Sequence, residues 1–109
     1  MEIQKAMERT GLPVYNSAYR RGDDEEMPGE YLIWSEVVTP GDFFDDEWHS
    51  LQHLVTVHVC SRGNPMGAVA RLCVEMAREG LSFAPMQDRY DEDADMYIKV
   101  VQFRGEEGI

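Results

Sequence analysis

The acidic run at residues 91–95 (Asp-Glu-Asp-Ala-Asp) comes closest in this sequence to a recognisable site chemistry. Its alternating carboxylates occupy the first three ligand positions of a calcium-binding loop, where they could surround a hard cation. The rest of the motif is missing, because Met96 stands where the turn glycine is needed and Gln102 replaces the terminal bidentate glutamate. Both flanks also look like strands rather than helices. The pattern therefore favours a solvated hairpin tip over a cation site.

The histidines and cysteines supply the remaining groups that could do chemistry. His53 and His58 lie in one alternating stretch, whose period of two sends them to opposite faces of a strand. Together with His49 on the approach, they cannot converge on one zinc ion. Cys60 shares a face with His58, so the two side chains could touch, but no oxyanion loop or third orienting group is evident nearby. We expect no metal, no cofactor and no enzymatic activity.

The charge balance restricts the partners. The 109 residues include 21 acidic and 10 basic side chains, for a formal net charge of −11. Such a surface repels nucleic acid and anionic membranes. The lone basic doublet Arg20-Arg21 lies beside the acids at 23–26, which favours an ion pair between subunits over nucleic-acid recognition.

The sequence shows neither the pattern of a membrane span nor that of a signal peptide. No apolar run approaches the roughly 18 residues of a membrane span. The charged N-terminal segment also lacks the apolar run of a signal peptide. We therefore expect a cytoplasmic protein whose two cysteines, Cys60 and Cys73, are packed thiols rather than a disulfide.

The hydrophobic pattern predicts one α+β domain over residues 1–109, with a mixed or antiparallel sheet of about four to five strands packed against one main helix. A short N-terminal helix over 2–10 should end at Gly11. A short extended segment should follow, and then a strand over 31–38 that becomes half exposed near Ser35 and breaks at 39–42. The clearest strand is 51–61, which places its odd-numbered residues on one face.

The main helix is expected over 65–79, with Asn64 as its cap, Pro65 as its first residue and Gly80 at its end. Its apolar stripe predicts that six side chains are buried, namely Met66, Val69, Leu72, Cys73, Met76 and Ala77. Arg71, Glu75 and Arg78 should face water and pair along the helix.

Two acidic segments are candidate contact surfaces. Residues 42–50 mix three large aromatics with four acids and show neither helical nor strand periodicity, which is typical of a binding surface. Residues 88–95 should connect two closing strands over 81–87 and 96–104. With the basic doublet, these segments supply the predicted interface residues: Phe43, Phe44, Asp45, Asp46, Trp48, Arg20, Arg21, Tyr90, Asp91 and Asp93.

The order of these segments resembles the small tail-completion or tail-terminator proteins of siphophages and their prophage relatives. The resemblance covers nearly the whole chain and rests on residues 12–15 (Leu-Pro-Val-Tyr), 30–34 (Glu-Tyr-Leu-Ile-Trp), 53–61 and 96–104. In that family the last strand often carries an aromatic, a Lys and a Phe at the spacing of Tyr97, Lys99 and Phe103. One departure is Ile98, where many relatives place a histidine.

This resemblance implies a virion structural protein with an α+β fold. It would assemble in the host cytoplasm into a ring, as a hexamer, at the head-proximal end of the tail. Its partners would be the tail tube protein and the head-tail connector. Ring closure requires complementary patches on each subunit, and Phe43, Phe44 and Trp48 are the candidates for the apolar part. Negative charge also suits a tube through which DNA slides without adhering.

Two alternatives remain open from the sequence. A neck or head-closure protein belongs to the same structural class and cannot be separated from a terminator by these residues. An acidic inhibitor that mimics DNA and occupies the basic groove of a host enzyme is the competitor from another class. A mimic needs carboxylates spread over a continuous face, whereas the acids here concentrate at 23–26, 42–47 and 88–95.

Overall fold

The computed structural model describes residues 2–16, 29–40, 43–44, 47–48, 50–92 and 95–108. Within these residues, two helices and seven strands follow one another. They are α1 (Ile3–Glu8), β1 (Val14–Asn16), β2 (Glu30–Pro40), β3 (Phe43–Phe44), β4 (Glu47–Trp48), β5 (Ser50–Ser61), α2 (Met66–Arg78), β6 (Ser82–Asp91) and β7 (Met96–Gly108).

Five of these strands form one mixed sheet in the order β1-β2-β5-β7-β6. β1 runs parallel to β2, and every other neighbouring pair is antiparallel. β3 and β4 pair with each other as a small hairpin between β2 and β5. The predicted α+β class, with a mixed sheet, a main helix and a short N-terminal helix, is confirmed.

The main core lies between the two helices and one face of the sheet, which we call the helix face. The alternation of β5 directs Val55, Val57 and Val59 to this face, as the sequence predicts, and all three are fully buried. They meet apolar residues of both helices and of the adjoining strands: Ile3, Ala6, Met7, Leu32, Ala68, Val69, Leu72, Met76, Leu81, Val101 and Phe103. The helices therefore stabilise the sheet from one side.

The opposite surface of the sheet, which we call the open face, carries the even-numbered residues of β5. Leu54, Thr56 and His58 are half-buried there, while both described helices pack on the other side. A second and smaller cluster lies at one end of this face and contains Tyr31, Cys60, Met96 and Ile98. Both faces of the sheet therefore carry apolar side chains.

An ion-paired network holds the two helices together. Arg9 Nε donates to Glu75 Oε2 at 2.7 Å, and Arg9 Nη2 lies 3.3 Å from Glu79 Oε2. The Arg9 guanidinium lowers the pKa of Glu75 chiefly through this hydrogen bond. The pKa of Glu79 is also lowered, first by a hydrogen bond from the Glu2 backbone amide and then by Arg9.

The sheet extends well past the helices. Beyond Leu54, the strands continue as residues 38–40 of β2, 50–53 of β5 and 105–108 of β7, which we call the arm. Every arm residue of β2 is exposed. The molecule measures 53 × 28 × 23 Å, and its radius of gyration of 15.4 Å exceeds the ~13 Å expected of a compact domain of this length.

The structure corrects part of the predicted helix packing. Asn64 Oδ1 accepts a hydrogen bond from the Met66 amide at 3.0 Å, but α2 begins at Met66, so that Pro65 is the N-cap rather than the predicted first residue. Gly80 follows the end of the helix at φ 84°, as predicted. Met66 and Ala77, predicted to be buried, are exposed. They share one flank of the helix with Cys73, which is only half-buried, because the buried stripe is centred further towards Ala68.

The predicted charge pairing along α2 is half right. Arg78 Nη1 pairs with Glu75 Oε1 at 3.1 Å. Arg71, however, does not pair with Glu75. Its Nη1 donates to the Thr10 carbonyl at 3.1 Å and its Nη2 lies 3.4 Å from Glu30 Oε1, because the ends of α1 and β2 lie within its reach.

Strand boundaries also differ from the expectation. β6 continues to Asp91, so the predicted connection over 88–95 is too long and its first four residues belong to the strand. The acidic composition of residues 88–91 is that of a loop, but their pairing with β7 continues past the irregularity between Pro85 and Gln87. β2 likewise continues to Pro40, which a strand tolerates where the missing amide proton is not needed for pairing.

Candidate interaction surface

The predicted aromatic contact residues lie at the tip of the arm. The backbone of Phe43 pairs with Trp48 and that of Phe44 with Glu47, so these positions form a hairpin rather than the irregular loop expected. The hairpin has no extensive contact with any other helix or strand. Five further predicted interface residues lie outside the described part of the chain, namely Asp45, Asp46, Arg20, Arg21 and Asp93.

The other predicted contact residues lie at the far end of the sheet. Tyr90 is 45% exposed, its ring centroid lies 4.9 Å from that of Tyr97, and its hydroxyl donates to Asp95 Oδ1. The backbone of Asp91 pairs with Met96 at the same end. β7 separates Tyr97 from the arm by about eight residues, or roughly 25 Å of extended chain. The structure therefore does not bring the two predicted contact segments together.

His53 is the most enclosed ionisable side chain at the base of the arm, with 9% of its surface exposed. Its Nδ1 lies 3.5 Å from Glu36 Oε2 and its Nε2 lies 3.5 Å from Glu107 Oε1, and neither nitrogen makes a well-formed hydrogen bond within the described residues. The His53 ring therefore lies between a carboxylate of β2 and a carboxylate of β7.

This histidine has no nucleophile beside it. Ser50 Oγ is buried without a hydrogen-bond partner in the described residues, but it is three positions from His53 and so on the opposite face of β5. The two carboxylates also approach opposite edges of the ring, so the three side chains do not converge on one point. Across the described residues, no group of three or more potential metal ligands comes together.

His58 and Cys60 share the open face, as predicted, but they do not form a reactive pair. The Cys60 thiol donates to the His58 carbonyl at 3.8 Å rather than to its ring. Burial, followed by the charge of Arg89, lowers the pKa of His58, which keeps the imidazole neutral at pH 7. Within the described residues neither Cys60 nor Cys73 forms a disulfide, and burial raises the pKa of Cys73.

A hollow of about 540 Å³ lies where the arm joins the body of the sheet. Its walls come from β2, β5, β7 and the turn after α2. Six of the residues that line it are Val37, Thr39, Gln52, Leu54, Arg104 and Glu106. Val37 is 58% exposed, and a large exposed aliphatic side chain beside a half-buried leucine is typical of a surface that receives a partner. The hollow is within the size range of ligand pockets.

Sequence reasoning missed this hollow, although a signal was present. The alternation in β5 predicts a core face and a second face, and β2 and β7 each carry apolar residues that pairing adds to the second face. Ile33 and Val37 on β2, Leu54 on β5 and Val100 on β7 all belong to it by register. A solvated sheet face normally carries polar residues, so this apolar content indicates a face that contacts something.

No protein-family model matches this chain, and neither does any curated protein. Neither of the two described helices is long and apolar enough to cross a bilayer.

Proposed function

We propose that this protein is a ring-forming subunit of a siphophage tail terminator, located at the head-proximal end of the tail tube and joining it to the head connector. The proposal is supported by the order of the elements. Each segment that carries the resemblance overlaps one strand of the sheet: residues 12–15 overlap β1 in part, and 30–34, 53–61 and 96–104 lie within β2, β5 and β7.

The observation that carries the proposal is the pair of unlike surfaces at one end of the molecule. A ring subunit needs two different patches that complement each other, since a head-to-tail contact repeats around the ring. The segment that follows the arm, residues 42–48, is acidic and aromatic in sequence, and the hollow at the base of the arm offers Val37, Leu54 and Arg104.

The described carboxylates argue against a DNA mimic. Glu75 and Glu79 are held by Arg9, Glu30 by Arg71, and Asp88 by Lys99 at 2.9 Å. A mimic must present unpaired carboxylates at regular spacing to a basic groove, and carboxylates with their own arginine or lysine partners do not resemble phosphates in this way.

The test is electron microscopy of particles from the encoding phage after inactivation of this gene. We expect DNA-filled heads and separate tails of abnormal length, because a tail without its terminator neither stops growing nor joins the head. Separate tails of normal length would favour a neck or head-closure role instead. Normal particles with a defect only after DNA entry would refute the structural role and support the inhibitor.

A complementation experiment distinguishes a defect in the acidic contact segment from a defect in the fold. The mutant phage is supplied with the wild-type protein, with a variant in which Asp42, Asp45, Asp46 and Glu47 are neutralised to Asn or Gln, or with Glu8→Gln, a change at an exposed acid on α1. We expect the wild type and Glu8→Gln to restore joined particles and the loop variant to fail. Full rescue by the loop variant would show that the acids at residues 42–47 are not needed for the function.

A further inference from the structure

We propose that the β3–β4 hairpin at the tip of the arm of one copy of this chain docks into the hollow of a second copy. The contact is head-to-tail, because the tip and the hollow are different surfaces of the same chain. The docking contact would be the one that joins neighbouring subunits of the proposed ring. That the assembly closes into a ring, rather than growing as a filament, rests on the proposed function. Self-association itself does not depend on a phage role.

Charge is the first argument. The sequence contains no Lys or Arg between Arg21 and Arg62, and residues 42–47 within this stretch hold four carboxylates. Residues 42–47 are therefore an acidic segment with no basic residue near it in the sequence. In a chain with a net charge of −11, most surfaces of a second copy would repel it.

The open face carries two arginines that can attract an acidic segment. Arg104 lines the hollow and Arg89 lies further along the same face, and neither forms an ion pair within the described residues. Most other described cations do form ion pairs, namely Lys5, Arg9, Arg71, Arg78 and Lys99. Glu106 is the one acid among the residues lining the hollow, so Arg104 makes this part of the face neutral rather than acidic. A free arginine in a hollow is suited to receiving carboxylates.

Apolar complementarity is the second argument. The hollow presents Val37 and Leu54, and the tip carries Phe43, Phe44 and Trp48 in its sequence. Aromatic residues and arginine are the types that most often anchor protein interfaces. A tip with three aromatics and four acids therefore matches a hollow with aliphatic walls and an arginine at its edge.

Topology favours a second copy over the tip of the same chain. Thr39 and Gln52 line the hollow and pair directly with each other next to the tip. The tip would have to fold back sharply to cover residues so near to it in sequence, whereas the tip of another copy can approach from outside. Because one copy donates a tip and also offers a hollow, the contact can repeat until a ring closes.

The experiment is a charge exchange followed by sedimentation velocity. One variant, Arg104→Glu, makes the hollow acidic. The other variant replaces Asp45, Asp46 and Glu47 with Lys and makes the tip basic. Each variant alone would place like charges opposite each other, so we expect its self-association to weaken by roughly a hundredfold relative to wild type. An equimolar mixture should assemble again, because every tip then meets a hollow of opposite charge.

Controls and further variants complete the test. Arg62→Glu makes the same charge change at an exposed arginine away from the hollow and should associate like wild type. Phe44→Asp with Trp48→Asp should be monomeric on its own, because it removes the apolar contact from every tip, and when mixed with wild type it should end growing assemblies because its hollow is unchanged. Circular dichroism checks that each variant keeps the fold.

Three outcomes would overturn the inference. They are a wild-type protein that stays monomeric at millimolar concentration, two charge variants that associate normally, and a mixture that fails to assemble although each variant is folded. A mixture that stops at dimers would contradict the repeating contact. If rings form as expected but inactivation of the gene leaves the phage particles normal, the docking contact is upheld and the proposed function is refuted. The contact and the function can therefore fail separately.

Discussion

Leu72 offers the sharpest test of how α2 packs on the sheet. Its side chain is fully buried within the core between α2 and the helix face. Leu72→Ala removes three carbon atoms, and at about 0.8 kcal/mol per buried methylene the lost transfer energy is about 2.4 kcal/mol. Incomplete collapse of the resulting cavity adds to this, so we expect a total loss of roughly 3–4 kcal/mol in the free energy of unfolding.

This loss is large against the ~5–15 kcal/mol that stabilises an ordinary domain. The assay is urea denaturation followed by far-UV circular dichroism, with Trp34 fluorescence as a second probe because its side chain packs against the same core. Val74→Ala is the matched control on the same helix, since Val74 is 53% exposed. We expect the control to change stability by no more than about 0.5 kcal/mol.

Met66→Ala separates the observed packing from the one that the apolar pattern predicted. Met66 is 51% exposed, so its truncation should cost less than about 1 kcal/mol, whereas a buried methionine would cost roughly 2–5 kcal/mol. The reasoning would be refuted if Leu72→Ala cost less than about 1 kcal/mol, or if Met66→Ala cost as much as Leu72→Ala.

Three further predictions concern the backbone, the helix network and the acidic tip. Gly80 has φ 84° and Gly67 lies in the first turn of α2 with open space around it. Gly80→Ala should therefore destabilise the fold by roughly 1–2 kcal/mol and Gly67→Ala should stabilise it by several tenths of a kcal/mol, and equal signs in thermal melts would contradict this. Glu75 and Glu79 have pKa values lowered below their ordinary value of 4.5, so their stabilising effect is present above that pH and is lost as the pH falls through the folded-state values. Arg9→Ala should flatten the acid side of a stability–pH profile, and an unchanged slope would exclude the network as its source. Calcium at millimolar concentration should leave the melting temperature unchanged, because Met96 and Gln102 replace two key positions of the loop; a saturable rise that Asp93→Ala abolishes would reverse this conclusion.

Local features of the fold were predictable because their signals are local. The alternation in residues 51–61 determined which side chains of β5 face the core, and Val55, Val57 and Val59 are buried as expected. Gly11 and Gly80 both adopt the positive φ that ends a helix. The element types therefore followed from sequence periodicity and from residues with special backbone preferences.

Boundaries and side-chain exposure were less predictable because partners distant in sequence set them. β6 continues through Asp88 to Asp91 because β7 pairs with it across a register shift, and no composition rule marks that extension. Met66 has the hydrophobicity of a core residue, but the angle at which α2 meets the sheet leaves it exposed. Arg71 was expected to pair within its helix, yet the carbonyl of Thr10 lies within reach.

The sequence by itself determined an acidic α+β domain, its strand alternation, its helix ends and the unusual composition of residues 42–48. Only the tertiary structure decided which of these features lie near one another. Pairing of β5 with β2 and β7 creates the arm, places Val37, Leu54 and Arg104 around one hollow, and separates the two predicted contact segments by the length of β7. The physical reason is that periodicity assigns a side chain to a face, whereas the hydrogen-bonded order and register of strands distant in sequence assign that face its neighbours.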